Sequence, residues 1–499
     1  MVEREQPRVA IIGAGISGVV TAAHLQKAGL NVTVFERNHA SGGVWLYDER
    51  RPLEPKYPSI RASEGENIGE YSGLCGGDRT PTRELRHAPP GPCYVGLKNN
   101  VGTRLMRTKL NGWPEGTPDF VNHRILKEYI QETSKIASVD SNTIYGALVT
   151  ELQKKDEKWH LTYSTLRKDS LDENVYSHKR LSSFDYVVVA SGHYHAPRVP
   201  ELPGLAEWQR RWPSRVWHSK GYRKPEGFKG KNVLLIGAGT SSTDIAREIG
   251  PFANHVYQSQ RNGKFDHPAS MLPPNATRIG EISTFNGIGA KDVFEDGELD
   301  QTQAIPSTVV LKSGAILCNI DYVIVCTGYH ITLPFLKKYH KDDTPPEKAS
   351  KIVLVTDGTQ LHNLHKDIFY IPDPSLIFVG VPYFTATFTL FEFQALTVAA
   401  VLSGLAYLPT EEAMREEYLQ RVKEKGYGKP FHSLRGVEVE YVTELLDWIN
   451  GDIAEKGGSL IEGHSKIWHV AKEEQAERIK QMFAPTGAVQ VEFSGMPCN

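Results

Sequence analysis

The chain has 499 residues, more than one hydrophobic core usually supports, so two or more domains are expected. A formal net charge of −2, spread along the chain, gives no basic footprint for nucleic acid. The longest apolar stretch, Ala395 to Leu408, is short of the roughly 18 residues of a membrane span and carries Thr397, Ser403 and Gly404. Met1-Val2-Glu3-Arg4-Glu5 leads directly into the first strand and leaves no room for a signal or transit peptide, so a cytoplasmic protein without membrane or nucleic-acid partners is expected.

The first predicted element is the strand Val9-Ala10-Ile11-Ile12, followed by Gly13-Ala14-Gly15-Ile16-Ser17-Gly18 and a helix from Val19 to Lys27. Strand, glycine loop and helix in that order make a dinucleotide-binding fingerprint. Side chains at the glycine positions would keep a pyrophosphate from the backbone N–H groups and from the positive end of the helix. The next strand, Val32-Thr33-Val34-Phe35, ends at Glu36, 23 residues after Gly13, where an acidic side chain accepts hydrogen bonds from a ribose diol. A solvated strand-end glutamate is the plainer alternative. Ser41-Gly42-Gly43-Val44-Trp45 permits close backbone approach to a ligand and sets an aromatic beside it; a tight turn with a core tryptophan would read the same. This first site reads as one for FAD.

Strand-helix alternation is expected to run on to about Ser191, ending in the apolar run Phe184 to Ala190, typical of a parallel strand buried on both faces. The Pro-rich stretch Pro197 to Pro203 breaks it. A second fingerprint follows, Asn232-Val233-Leu234-Leu235-Ile236 and then Gly237-Ala238-Gly239-Thr240-Ser241-Ser242, with serine in the third glycine position. Its second strand, His255 to Gln258, leads to Ser259 where an NAD site carries an acid, with Arg261 two residues on. A carboxylate there would repel a 2′-phosphate, whereas arginine offers it a charge-assisted fork, so this site reads as one for NADPH; a surface arginine is the alternative. A strand at Ile320 to Gly328 closes the unit, and Leu376 to Gly380 with an apolar helix from Phe391 to Ser403 returns to the first domain.

The predicted fold class is therefore α/β, with two Rossmann-like dinucleotide-binding domains. The NADPH-binding domain, 206–330, is inserted into a discontinuous FAD-binding domain made of 1–205 and 331–499. One such loop is a weak signal. Two on one chain imply that two dinucleotides meet, and the usual reason is hydride transfer between them.

The five cysteines, Cys75, Cys93, Cys318, Cys326 and Cys498, form no CxxC pair, so reduced thiols are expected and no redox dithiol. His193-Tyr194-His195 and His362-Asn363-Leu364-His365 lack the carboxylate support of a metal site, and no metal is expected.

Between the two loops lies Trp212-Pro213-Ser214-Arg215-Val216-Trp217-His218-Ser219-Lys220-Gly221-Tyr222. It occupies the place of the motif FxGxxxHxxx(Y/F)(K/P), matching at His218 and Tyr222 and departing at Trp212 and Ser214. With Gly42-Gly43-Val44-Trp45, Ala190-Ser191-Gly192-His193-Tyr194, Cys326-Thr327-Gly328-Tyr329, and Leu97-Lys98-Asn99-Asn100 followed by Leu105-Met106, it makes the sequence resemble the flavin-containing monooxygenases from Val9 to about Pro409. These are the N- and S-oxygenating branch of the class B flavoprotein monooxygenases. The resemblance implies FAD and NADPH as cofactors and a small nucleophilic molecule and O2 as reactants. It implies oxygenation of nitrogen, or sulfur, through a C4a-hydroperoxyflavin that bound NADP+ shields from water. Asn100 is the implied catalytic residue, near flavin and nicotinamide, although Asn99-Asn100-Val101-Gly102 also reads as a local turn. The implied cofactor-binding set adds Val149, Ser191, Asp244, Thr327, Gly328 and Gln394 to the residues of the two fingerprints. For Glu392 and Gln394 helix-surface roles stand as the alternative.

The neighbouring Baeyer-Villiger group carries Trp-Pro where this chain has Tyr222-Arg223, which favours heteroatom oxygenation over ketone insertion. An NADPH oxidase or flavin reductase releasing H2O2, and a nucleotide-binding protein without turnover, are further alternatives. Substrate identity and self-association stay open, and the segment from Asp447 to Asn499 shows no motif.

Overall fold

The computed structural model describes residues 6–65, 80–168, 175–287, 303–483 and 495. Two parallel sheets organise the chain. In the first, the strands Leu376–Phe378, Tyr186–Val189, Arg8–Ile12, Asn31–Glu36 and Thr143–Tyr145 run side by side, and an antiparallel pair, Leu364–His365 and Phe369–Tyr370, extends the edge beyond 376–378. In the second, the order is Ala276–Ile279, His255–Ser259, Asn232–Ile236, Tyr322–Val325 and Val216–His218, all parallel. The fold is α/β with two Rossmann-like domains, the second inserted into the first. Central strands of such sheets are covered on both faces, so they are apolar throughout rather than alternating.

The helices follow from the same burial. Ile16–Lys27 begins three residues earlier than the sequence pattern suggests and packs along Thr387–Leu402, where His24 Nε2 meets Glu392 at 3.0 Å. The longest apolar stretch thus serves the core, and among the described residues no helix is long and apolar enough to cross a membrane.

Three expectations are corrected. Strand-helix alternation does not continue to Ser191, because Leu148–Lys155, Lys158–Lys168 and Val175–Phe184 form an antiparallel meander. The missed signal is a period of two: Trp159, Leu161 and Tyr163 are buried while Lys158, His160 and Thr162 are not. Asp156 and Glu157, both with positive φ, close its first hairpin. The apolar run Phe184 to Ala190 accordingly divides, with Phe184 ending the meander and Tyr186–Val189 alone joining the parallel sheet. Finally, Cys93 and Cys326 are free, but Cys318 is disulfide-bonded, so thiols are not reduced throughout. Cys75 and Cys498 lie outside the described residues.

The motif departures have local explanations. Trp212 is 7% exposed and meets Trp208 edge-on at 5.4 Å in a core cluster that also holds Phe285, so a larger aromatic fills the phenylalanine place. Ser214 is exposed and its φ is not positive, so no glycine is required there. The C-terminal segment, without a motif, forms part of Glu438–Glu455, packed on the core beside 387–402, and all of Lys466–Met482, which buries Trp468 and Ala471 against Leu105 and Ala386.

Trp212→Ala is expected to cost about 3–5 kcal/mol, the range for emptying a large aromatic site, whereas Ser214→Gly should stay within roughly 0.5–1 kcal/mol. Chemical denaturation of the two variants against the parent checks this; equal costs would show that Trp212 is not a core residue.

Candidate active site

The two glycine loops are built alike. Gly13 has φ +107°, its N–H donates to Phe35 O at 2.8 Å, and a Cβ there would lie 2.6 Å from Ala190 O. Gly237 has φ +109°, its N–H donates to Ser259 O at 3.0 Å, and a Cβ would lie 2.7 Å from Cys326 O. In each domain the loop is pressed against the carbonyl that ends the strand crossing beside it, and only glycine allows that. Gly15 and Gly239 then start the helices Ile16–Lys27 and Thr240–Ile249 with no side-chain cap, leaving first-turn N–H groups to an outside acceptor. That is a fitting cradle for the phosphates of a dinucleotide.

The loops differ at the third position. A Cβ on Gly18 would lie 1.9 Å from Gly13 O, whereas Ser242 fits, fully buried, with its Oγ accepting from Gln258 Nε2 at 2.7 Å. Gly43, φ +55°, lies backbone to backbone on the first loop, where its Cβ would be 2.9 Å from Gly15 Cα, and Gly42 N–H donates to Ala14 O at 3.0 Å. Val44 and Trp45 follow, partly buried, with Trp45 against the core. Glu36 is buried; its carboxylate accepts from Ala14 N at 2.7 Å and from Asn38 N and Nδ2 at 2.8 and 3.0 Å. A carboxylate has about four lone-pair sites, so room is left for a further donor.

The second segment of the first domain closes over this loop. A Cβ on Gly380 would lie 2.4 Å from Ser17 Oγ, and Gly380 N–H donates to Gln394 Oε1 at 3.0 Å, while Gln394 Nε2 donates to Tyr441 Oη at 2.8 Å. Glu392 meets His24 Nε2 at 3.0 Å and accepts from Lys109 N at 2.6 Å. Both side chains are buried, so the helix-surface alternative is corrected: the helix carrying them is covered on all sides. Gly380 itself was missed, although like Gly192 and Gly328 it follows an apolar strand, and that shared pattern could have flagged it. Val149 is buried at a bulge opposite Tyr163, and Ser191 O accepts from the His195 ring.

In the second domain Thr240 and Ser241 are exposed at the helix start, and Arg261 is exposed beyond the strand. Ser259 points inward, its Oγ donating to Gly280 O at 2.9 Å. Burial pushes the Asp244 carboxyl above its ordinary value, opposed by the Tyr94 hydroxyl, which donates to it at 3.3 Å. Thr327 Oγ1 donates to Arg198 O, and Gly328 has φ +81°.

Tyr94 belongs to a strap joining the two domains. Val95 N–H donates to Arg223 O at 2.9 Å, and Val95 O accepts from Asn122 Nδ2 at 3.0 Å. The strap then reaches the two asparagines. Asn99 is buried, donates from Nδ2 to Val101 O and Asp119 O, both at 2.7 Å, and accepts Val121 N–H at 2.7 Å. Asn100 is exposed. The turn's local duty therefore falls to Asn99, which leaves the Asn100 carboxamide available.

The motif between the loops is the joint of the domains. Val216–His218 is an edge strand of the second sheet, yet His218 N–H donates to Glu54 at 3.1 Å and Lys220 Nζ to His195 O at 2.7 Å, both partners in the first domain. Arg223 clasps Arg50 O through Nε and Nη2 at 3.1 and 2.9 Å. The His218 ring accepts Lys220 N–H at Nδ1 and donates to Gly328 O from Nε2, and burial with the nearby Lys220 charge pushes it down to about 3. A neutral ring with both nitrogens engaged is a structural element, not a base. Tyr222 is buried and donates to Glu248 at 3.1 Å. His362 meets Thr356 at 2.9 Å and His365 meets Glu417 at 3.1 Å.

The family profile described as flavin-binding monooxygenase-like matches residues 93–267 and 298–461, and that of an NAD(P)-binding Rossmann-like domain matches 11–60. The chain is 47% identical over 492 residues to flavin-containing monooxygenase ustF2 of Aspergillus flavus, covering 95% of this chain and 98% of that one. The chain belongs to the flavin-containing monooxygenase family. It is also 28% identical to senecionine N-oxygenase of Tyria jacobaeae, over 83% of this chain and 76% of that one. Among solved structures, S-allyl-L-cysteine S-oxygenase of Allium sativum superposes with a TM-score of 0.66 at 25% identity, over 95% and 93% of the two chains. As a flavin-containing monooxygenase the protein is an FAD-dependent enzyme with a small-molecule substrate, and its cofactors are FAD and NADPH.

Gly15→Leu would fill the gap between the first loop and Gly43, where a Cβ already meets Gly43 Cα at 3.5 Å. The purified variant should be colourless, against a yellow parent that releases FAD on denaturation. Full flavin occupancy in the variant, read by absorbance, would overturn the assignment of this loop.

Proposed function

We propose that the chain is an NADPH- and O2-dependent monooxygenase that oxygenates a nucleophilic nitrogen, or sulfur, of a small organic molecule, by N-oxidation or N-hydroxylation where nitrogen is the target. The observation that carries this reading is the strap: one run of chain touches the helix of the second loop at Asp244, the joint at Arg223, and ends in an asparagine whose side chain is left available. Two of the relatives bear names that specify nitrogen and sulfur oxygenation, which supports the heteroatom class.

The chemistry of O2 activation would be supplied by bound FAD after its reduction by NADPH. The protein's own part is binding, orientation and exclusion of water. Gly13, Gly15, Ser17, Gly18, Glu36 and Gly43 form the cradle for FAD, and Gly237, Gly239, Thr240 and Ser241 that for NADPH. Arg261 reads the 2′-phosphate, with no carboxylate at Ser259 to oppose it. Asn100 offers a donor and an acceptor to the oxygen being transferred. Neither Cys93 nor Cys326 is set up as a nucleophile: burial pushes both thiols up to about 12, so they stay protonated. Behind the strap, Leu105, Ala386, Trp468 and Ala471 pack into an apolar cluster that keeps water from that side.

Asn100→Leu should fold, bind FAD and accept reduction by NADPH, because the turn is held by Asn99. Oxygen transfer should fail, so NADPH consumption continues with little product and H2O2 approaches one equivalent per NADPH. Parallel assays of NADPH, product and peroxide check this; a fully coupled variant would remove Asn100 from the mechanism. A parent enzyme making only peroxide with every amine and thioether tried would favour an oxidase.

A further inference from the structure

Beyond the second glycine loop, the NADPH-binding domain reaches back to the FAD-binding domain. His267 N–H donates to Ala238 O at 2.8 Å, and Arg278 Nη2 holds His267 O at 2.9 Å, so the segment that follows Arg261 is tied back to the glycine loop at His267. Asn262 takes a positive φ of 54°, and Gly263 N–H donates to Asp266 Oδ2 at 2.8 Å, folding a tight tip just after Arg261. On that tip Phe265 stacks on Phe384 of the other domain, ring centroids 5.6 Å apart and planes 13° from parallel. A cation sits over each ring: Lys429 Nζ is 5.3 Å from the Phe265 centroid, and the Arg435 guanidinium is 4.2 Å from that of Phe384.

The stack brings Lys429, from the second FAD-binding segment, onto the loop that carries Arg261. Arg198 comes from a third part of the chain and is fastened at the same end of the second sheet, its N–H donating to Gly328 O at 2.9 Å. Burial, and then the charge of Arg198, push the Lys429 ammonium below its ordinary value; Asp266 opposes this, and Arg261 adds a smaller push in the same direction as Arg198. Among the described residues, none of the three forms a salt bridge with a carboxylate. All three side chains are exposed, and Asp266 on the same loop is the carboxylate that acts on Lys429, so an anion arriving there would meet three cations against one carboxylate. The loop they surround already offers helix-terminal N–H groups to a phosphate-bearing ligand.

We propose that Lys429 is a second cation reading the 2′-phosphate of NADPH, reaching from the FAD-binding domain to stand with Arg261 and Arg198. The proposal rests on the reading of the second loop as the NADPH site. Phe265 and Phe384 act as the mount: their stack fixes the ammonium beside the Arg261 loop, so both domains discriminate between NADPH and NADH. A sequence reading confined to the second fingerprint finds Arg261 alone, because Lys429 is distant in sequence.

The test is calorimetric titration of the FAD-loaded protein with adenosine 2′,5′-bisphosphate and with 5′-AMP, which lacks only the 2′-phosphate. Lys429→Met should weaken the bisphosphate at least about tenfold, the scale of a lost hydrogen bond between charged groups, and leave 5′-AMP unchanged. Lys429→Arg should restore most of the affinity, showing that the charge rather than the packing is lost. Equal losses for both ligands would make Lys429 a packing residue and overturn the proposal. So would unchanged bisphosphate affinity in Lys429→Met, with or without a rise in substrate KM from an anionic substrate held there. If Arg261→Ala weakens the bisphosphate while Lys429→Met does not, the proposal fails and the NADPH reading stands; if neither variant weakens it, both fail.

Discussion

The close approach of a glycine backbone to the carbonyl of a crossing strand, made twice, sets the rest of this structure. At Gly13 the carbonyl is that of Ala190 and at Gly237 that of Cys326. Each contact draws the chain after one strand into the mouth of the neighbouring strand, and so fixes where a helix may start and where its free N–H groups stand. Each crossing strand runs on into a glycine with positive φ, Gly192 or Gly328. Those glycines turn the chain out of the sheet and toward the other domain, so the same local geometry that makes a nucleotide cradle also makes the connections between cradles. Gly328 O, for instance, accepts from both His218 and Arg198.

Between the cradles the domains are coupled by buried polar contacts rather than by one large apolar seam. Lys220, His218 and Arg223 are each almost wholly buried and each finds a partner from the first domain or a backbone carbonyl of the joint itself. Groups of this kind are costly to leave unpaired, so they specify one relative placement of two domains that could otherwise dock in several ways. The Glu54 carboxyl, raised to about 7 by burial against the donors His218 N–H and Tyr57 Oη, belongs to the same joint. A motif that marks the family thus has a mechanical reason to exist here.

The sequence exposed what depends on local geometry. The glycine loops, the strand ends at Glu36 and Ser259, and the nested order of the two sheets are written in residues adjacent along the chain, because a glycine forced by a carbonyl or an apolar strand between two layers needs no distant partner to be recognised. The meander at 148–184 was missed because its alternation of Trp159, Leu161 and Tyr163 with polar residues was absorbed into a longer strand-helix pattern. Which asparagine is free could not be read locally: the choice between Asn99 and Asn100 is made by Asp119 and Val121, some twenty residues away. The buried setting of Gln394 depends on Gly380 and Tyr441 in the same way, and the C-terminal helix acquires its role only through Leu105 and Ala386.

If the two cradles serve one another, NADPH held by the second would deliver its hydride to FAD held by the first. Anaerobic mixing of the FAD-loaded protein with NADPH, followed by stopped-flow absorbance, tests it most directly. Complete bleaching of the flavin is expected, with one NADPH consumed per FAD, before any substrate or oxygen is added. A flavin that stays oxidised while NADPH is demonstrably bound would contradict it.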